Sequence, residues 1–232
     1  AESLPHATLT VAVAAVLCAA LGAYRVGDRS LWMDEAFSWS TADRSWGDLF
    51  HLIRGAEANG ALYSLFLKPW IGLDEAEGWM RLPSVLFMAA TVPLVYLIGR
   101  RLLDQRDAVL AAVLFAVNGS VIMFAQQVRG YALVSLLAAL SWWCFVTDIT
   151  DTRRTSNRPA WWWAILSVAL AYGHVVATLI PVAQLVSLVW VDRPVERLRP
   201  RELVHRCTDH VQRRADRLPV RFVTDHQQVL TG

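Results

Sequence analysis

The sequence has little lysine, little cysteine and few charges of either sign. Lys68 is the only lysine, and the arginines that make up the rest of the 22 basic residues are spread between apolar runs. A nucleic-acid-binding surface would concentrate them on one face, so no nucleic-acid partner is indicated. The three cysteines are odd in number and far apart, which argues against a disulfide framework or a CxxC metal site. Only 18% of the residues are charged and 55% are hydrophobic, an unusual balance for a soluble domain.

Several apolar runs approach the length of about 20 residues that a membrane-spanning helix needs. The first run, Leu4–Tyr24, is longer than the apolar part of a signal peptide and has no basic segment before it, so we expect a retained helix. The last run, Trp161–Val191, is too long for one crossing and should turn near His174. The predicted spans are Leu4–Tyr24, Leu82–Gly99, Ala108–Ala125, Tyr131–Val146 and two helices within Trp161–Val191. The sequence therefore predicts an all-α, multi-pass membrane protein with about six transmembrane helices.

The segment between the first two spans, residues 25–81, is predicted to be one extracytoplasmic loop. Ser45 and Asp48 form a capping-box pattern, and apolar residues follow at helical spacing with Gly55 as the C-cap, which predicts a surface helix. Ala61–Leu73 is apolar but too short to span, so a second interfacial helix is expected there.

Clusters of arginine set the predicted orientation. With the six spans above, the clusters all fall on one side of the membrane, as the positive-inside rule requires. They comprise Arg100, Arg101 and Arg106, then Arg153, Arg154 and Arg158, then Arg193, Arg197, Arg199 and Arg201. Both chain ends are therefore predicted to be cytoplasmic, with a membrane module at 1–191 and an Arg-rich tail at 192–232.

Two adjacent carboxylates, Asp34 and Glu35, lie just beyond the first span among apolar and aromatic residues. Partial desolvation raises a carboxyl pKa and prepares a general base, so both are candidate catalytic residues. The alternative is a pair of solvated acids at the start of a surface helix, where negative charge is favourable.

The string Ser30-Leu31-Trp32-Met33-Asp34-Glu35-Ala36-Phe37 resembles the first-loop motif of GT-C-type glycosyltransferases, in the branch of protein-O-mannosyltransferases and aminoarabinose transferases. The resemblance covers roughly residues 1–190. It continues through Asn59-Gly60-Ala61-Leu62-Tyr63, Arg81-Leu82-Pro83-Ser84, Tyr96-Leu97-Ile98-Gly99-Arg100-Arg101-Leu102 and Ala125-Gln126-Gln127-Val128-Arg129-Gly130-Tyr131-Ala132-Leu133. Because the strings occur in order and with matching spacing, they are specific as a set.

The resemblance implies an enzyme of the cell membrane that moves a sugar from a polyprenyl-phosphate carrier to an acceptor on the outer face, with inversion. Asp34 would be the base, and a divalent metal ion or basic residues would neutralise the lipid phosphate. Arg129 is the main candidate for the phosphate, although a snorkelling interfacial arginine is an equal alternative. Further donor-binding candidates are Gln127, Asn59, Tyr63 and Lys68; Arg81 is a weaker one, and His174 is more readily explained as a turn residue than as part of the cleft.

The chain departs from its relatives in two ways. Asn59-Gly60-Ala61 stands where many carry His-Pro-Pro or Glu-Lys-Pro, and Gln127 stands where many carry glutamate, which removes groups able to hold a metal ion. Relatives also have more spans. The alternative function is therefore a non-catalytic or truncated membrane subunit that binds a lipid carrier or a partner glycosyltransferase. A transporter is disfavoured, since no internal repeat is found.

Overall fold

A computed structural model describes residues 6–55, 59–150 and 158–190, and all regular secondary structure in these ranges is helical. The predicted tail at 192–232, with its arginines, and the pair Arg153 and Arg154 lie outside the described residues. The helices are α1 (Ala7–Ala23), α2 (Met33–Ala42), α3 (Trp46–Arg54), α4 (Ala61–Ile71), α5 (Glu77–Leu102), α6 (Gln105–Ala116), α7 (Gly119–Ala125), α8 (Tyr131–Thr150), α9 (Arg158–Gly173), a 3₁₀ helix (Val175–Thr178) and α10 (Leu179–Trp190). The all-α prediction is confirmed for the described part of the chain.

Two helices, α5 and α8, are long and apolar enough to cross a membrane, and the bent pair α6–α7 makes a third candidate. Helix α1 and the apolar stretches of α9 and α10 are shorter. Two or three candidate spans are thus found where about six were predicted. Each predicted span nevertheless corresponds to a helix or a pair of helices.

The predicted third span is not one straight helix. It divides into α6 and α7, which meet at an angle of 52°. The cause is local: the side-chain oxygen of Asn118 accepts hydrogen bonds from the backbone N–H groups of Ser120 and Val121, at 2.9 and 3.4 Å. An asparagine that caps a helix in this way competes with the continuing backbone ladder, so a new helix begins after it.

The turn predicted within the last apolar run is confirmed. Helix α9 ends at Gly173, and a 3₁₀ helix separates it from α10. His174 Nδ1 accepts a hydrogen bond from the Val176 N–H at 3.2 Å and so caps the 3₁₀ helix. This turn lies against the segment before α4, because the side-chain oxygen of Asn59 accepts the Val175 N–H at 2.9 Å.

The loop helices follow the sequence pattern closely. Ser45 Oγ accepts the Asp48 N–H at 3.1 Å, and Gly55 is the C-cap of α3 as predicted. Helix α4 occupies most of the second predicted segment. Its end is joined to the start of α5 by Trp70 and Trp79, whose rings stack with centroids 4.5 Å apart and whose indole N–H groups each donate to the other's carbonyl oxygen. Helix α5 begins at Glu77, so the connecting loop is shorter than predicted.

Small residues allow the long helices to approach each other closely. A Cβ atom on Gly22 of α1 would lie 3.0 Å from that of Ala125, and one on Gly99 of α5 would lie 3.0 Å from that of Ala108. Close backbone approach at small residues is typical of helix packing in membranes, where apolar burial alone does not drive association.

This packing makes Gly99→Ala destabilising. The added methyl group meets Ala108 Cβ at 3.0 Å and the Ala108 backbone at 3.1 Å, so α5 and α6 must separate. Overpacking of this kind costs about 1–3 kcal/mol. The control is Gly119→Ala, where a Cβ atom meets nothing within 4 Å and the better helix propensity of alanine is expected to hold or raise stability. Thermal unfolding in detergent measures both, and equal effects of the two substitutions would contradict the close α5–α6 contact.

Candidate active site

The centre of the region between α1 and α5 is a buried ion pair between Glu35 of α2 and Arg81 of α5. Arg81 Nε and Nη2 donate to the two carboxylate oxygens of Glu35 at 2.9 and 2.8 Å. Both side chains are almost fully buried: 4% of the Arg81 side chain and 2% of the Glu35 side chain are exposed. The two-pronged geometry is the strongest arrangement available to an arginine and a carboxylate. It fixes the first turn of α2 against the start of α5.

The same two residues hold the neighbouring backbone. The Val128 N–H donates to Glu35 Oε1 at 2.8 Å, which attaches the turn between α7 and α8. Arg81 Nη1 donates to the carbonyl oxygens of Val26 and Arg29, both at 2.7 Å. Three separate segments therefore meet at one ion pair, and the loop after α1 is held in place by it.

Glu35 does not have the raised pKa that was expected of a base. Burial raises the pKa of Glu35, but the hydrogen bonds from Arg81 and from the Val128 N–H, together with the charge of Arg81, bring it below its usual value. That expectation is wrong for Glu35 because its carboxylate meets a matched cation rather than an apolar surface. Glu35 remains charged and serves to position its neighbours.

Asp34, the adjacent residue, lies in a different environment. Its side chain is about half exposed (48%), and its carboxylate Oδ2 lies 3.8 Å from Arg129 Nη2. Within the described residues, no hydrogen bond is made by this carboxylate. Arg129 Nη1 donates to the Asp34 carbonyl oxygen at 3.1 Å and to Ser38 Oγ at 3.3 Å. Asp34 is thus held by its backbone, and its carboxylate interacts with Arg129 through charge without a hydrogen bond.

A small cavity of about 80 Å³ lies beside Arg129. It is bounded by α2, the segment before α4, the start of α8 and the turn after α9. Its polar lining residues are Ser38, Thr41, Asn59, Tyr63, Ser64, Arg129, Tyr131 and His174. The volume is that of a few water molecules, enough for a small polar group. Three of the predicted donor-binding residues, Asn59, Tyr63 and Arg129, are brought together here, and His174 joins them.

Tyr63 is the most buried of these residues. Its hydroxyl lies near Ser84 but forms no well-directed hydrogen bond within the described part of the chain, since Ser84 Oγ donates to the Gln127 carbonyl oxygen at 2.6 Å. Burial raises the pKa of Tyr63 well above its usual range. The hydroxyl therefore stays protonated at neutral pH and is a hydrogen-bond donor.

A larger cavity of about 640 Å³ is lined by Glu35 and Arg81 themselves, and Gln127 also lies in its wall. Its lining residues are Tyr24, Arg25, Val26, Asp28, Arg29, Ser30, Trp32, Glu35, Arg81, Met123, Gln126 and Gln127. Aromatic rings, hydroxyl, amide and guanidinium groups line it together. Arg25 at its edge has a φ of 54°, a left-handed conformation that is uncommon for residues with a side chain and concentrates at functional sites.

Lys68 belongs to neither cavity. Its ammonium group donates to the carbonyl oxygens of Ala42 and Arg44 and lies 5.1 Å from the centroid of the Trp46 ring. It binds the end of α2 and the start of α3, so its position is that of a structural residue.

Sequence reasoning ranked Arg81 as a weak phosphate candidate and missed its pairing with Glu35. The available signal was a charged residue at the start of an otherwise apolar helix, which requires a partner.

The ion pair predicts a pH-dependent loss of stability in Glu35→Gln. At neutral pH the variant leaves the Arg81 charge buried without a counter-ion and should lose on the order of 3 kcal/mol of unfolding free energy. Because folding lowers the pKa of Glu35, its contribution is fully present above the unfolded-state value of about 4.3 and is lost as the pH falls through the lower folded-state value. The difference in unfolding free energy between the native and variant chains should therefore shrink in acid.

The control is Glu75→Gln at an exposed loop position, and unfolding curves from neutral pH to about pH 3 measure both. An effect of Glu35→Gln no larger than that of Glu75→Gln would contradict the pairing.

Comparison with known proteins identifies the family. The family model for dolichyl-phosphate-mannose-protein mannosyltransferases matches residues 61–201, more than half of the chain. The match includes Tyr63, Gln127 and Arg129, and it begins after Asp34. Neither the curated proteins nor the solved structures contain a match. With its apolar helices, the chain is a membrane protein that belongs to the dolichyl-phosphate-mannose-protein mannosyltransferase family of GT-C glycosyltransferases.

Proposed function

We propose that this chain transfers a sugar from a polyprenyl-phosphate donor to an acceptor hydroxyl at the extracytoplasmic membrane surface, with Asp34 as the general base. The observation that carries the proposal is the contrast between two neighbouring carboxylates. Glu35 is bound to Arg81 in a buried ion pair, while Asp34 is half exposed and its Oδ2 lies 3.8 Å from Arg129 Nη2. The family supplies the reaction class, and this geometry supports the choice of Asp34.

The proposed reaction uses these positions. The Asp34 carboxylate takes the proton from the acceptor hydroxyl, and the oxygen attacks the anomeric carbon of the donor sugar. The bond between that carbon and the phosphate oxygen breaks, and the phosphate leaves with the electron pair. Attack from the face opposite the leaving group inverts the anomeric configuration. A positioned general base typically contributes about 10²–10⁴-fold to the rate.

Arg129 is the proposed contact for the leaving phosphate. Its guanidinium group is partly buried, with 25% of the side chain exposed, and it lines the small cavity. A cation in a partly dehydrated site stabilises developing negative charge more strongly than one in water. Its contacts to the Asp34 carbonyl oxygen and to Ser38 fix its direction. The base and the phosphate contact would then be held by the same turn of α2.

The sugar and acceptor need more space than the small cavity provides. The larger cavity, with Trp32 and the Gln127 amide in its wall, has the aromatic surface and hydrogen-bonding groups that suit a sugar. Trp32 and Glu35, which line it, belong to the same helical turn as Asp34. We therefore assign this cavity to the sugar and the acceptor, with Gln127 as a donor-sugar contact. In this proposal the chain is a multi-pass protein of the cell membrane.

Asp34→Asn is expected to lower the rate of sugar transfer by about 10²-fold or more, because the amide cannot accept the proton. The assay is transfer from radiolabelled polyprenyl-phosphate sugars in reconstituted membranes. Asp43→Asn is the matched control, since Asp43 lies exposed at the other end of α2. Its rate should equal that of the native chain.

The same assay separates the two functions that the sequence leaves open. Equal transfer by native and Asp34→Asn chains would remove Asp34 as the base. No transfer by the native chain would favour the alternative, a membrane subunit that binds a lipid carrier or a partner glycosyltransferase without catalysing the reaction itself.

A further inference from the structure

We propose that this chain binds the donor phosphate through Arg129 directly and without a divalent cation. The inference rests on the proposed function and deepens it, since it concerns how the leaving phosphate is neutralised. It is carried by the polar groups of the small cavity: Asn59 and His174 already accept backbone hydrogen bonds, whereas two of the three guanidinium nitrogens of Arg129 form no hydrogen bond within the described residues.

The residues present do not fit a divalent metal ion. Within the described ranges, no group of three His, Cys, Asp or Glu side chains lies close enough together to hold one. Mg²⁺ is held in proteins through carboxylates, and zinc sites use several nitrogen, sulfur or carboxylate ligands. The small cavity offers one histidine, with amide and hydroxyl groups around it and the Asp34 carboxylate near Arg129.

His174 is committed to a role that opposes metal binding. Its Nδ1 accepts the Val176 N–H, so in the neutral ring the proton is on Nε2. A metal ion at Nε2 would move that proton to Nδ1, which could then no longer accept the backbone hydrogen. Metal binding at Nδ1 would displace the same hydrogen bond directly. Either form of ligation removes the cap of the 3₁₀ helix.

Asn59 is committed in the same way. Its side-chain oxygen accepts the Val175 N–H at 2.9 Å, and the residue joins the segment before α4 to the turn after α9. An amide oxygen carries no net charge, so it offers a divalent cation less than a carboxylate would. Gln127, the other position where relatives often carry an acid, lies in the larger cavity and not beside His174.

Arg129 has the opposite character. A guanidinium group has donors on all three nitrogens. Only Nη1 forms hydrogen bonds among the described residues; Nη2 lies 3.8 Å from Asp34 Oδ2 without a hydrogen bond, so its N–H groups and that of Nε can still donate to an oxyanion. Its positive charge also repels a metal ion at this place, an effect that is strong where water is partly excluded. The cation that the phosphate requires is therefore part of the chain.

The test uses the full chain in lipid nanodiscs and measures binding rather than transfer. Geranyl phosphate is titrated in the presence of EDTA, and Mn²⁺ is titrated separately with detection by electron paramagnetic resonance. The native chain should bind geranyl phosphate in EDTA and should show no saturable Mn²⁺ binding up to about 1 mM. Arg129→Gln should weaken geranyl phosphate binding by about ten- to a hundredfold, as expected for a charged hydrogen bond. Arg54→Gln, which removes an exposed arginine from the end of α3, should leave it unchanged.

Two results would overturn the inference: geranyl phosphate binding that requires Mn²⁺, or saturable Mn²⁺ binding that His174→Ala abolishes. If Arg129→Gln does not fold, Arg129→Lys replaces it and should bind more weakly than the native chain, because the ammonium group cannot present the planar donors. The native titrations decide the metal question by themselves. A chain that binds geranyl phosphate in EDTA but transfers no sugar would refute the proposed function and leave this inference intact.

Discussion

The buried pair of Glu35 and Arg81 is the interaction on which the rest of the site depends. It joins the first turn of α2 to the start of α5, the Val128 N–H attaches the turn before α8, and the backbone after α1 is held by the remaining donors of Arg81. A buried ion pair adds little stability by itself compared with apolar packing, but loss of one partner leaves an uncompensated charge. This ion pair mainly fixes positions: it holds together residues 26–35, the start of α5 and the turn before α8, three segments that are far apart in the sequence.

This placement separates the roles of two adjacent acids. Glu35 faces inward, where the charge of Arg81 balances its own. Asp34, one residue earlier on the helix, lies about half exposed beside Arg129. The ion pair lines the larger cavity together with Gln127, and Arg129 lines the small one. A glycosyl transfer needs a base, a site for the phosphate and room for a sugar, and the proposed arrangement assigns these to Asp34, to Arg129 and to the larger cavity.

The sequence predicted the elements whose signals are local. The C-cap of α3 at Gly55 followed from a capping pattern and apolar spacing, whereas the short helix α4 and the turn at His174 followed from the lengths of their apolar runs. All three are found. The bend at Asn118 was missed because one capping side chain overrode a continuous apolar run. The site was predicted less well. Asn59, Tyr63 and Arg129 do come together, but Lys68 proved to hold loop carbonyls, and the Glu35–Arg81 pair joins residues 46 apart, a contact that periodicity does not reveal.

The most direct measurement is an electron cryomicroscopy structure of the chain with a non-hydrolysable phosphonate analogue of a polyprenyl-phosphate sugar. The phosphonate should lie against the Nε and Nη2 atoms of Arg129, with the sugar in the larger cavity. The Asp34 carboxylate should be within reach of a hydroxyl placed for attack, at about 3–3.5 Å from the reacting atoms. A phosphonate bound away from Arg129, or an anomeric carbon that no hydroxyl near Asp34 can approach, would contradict the assignment of this site.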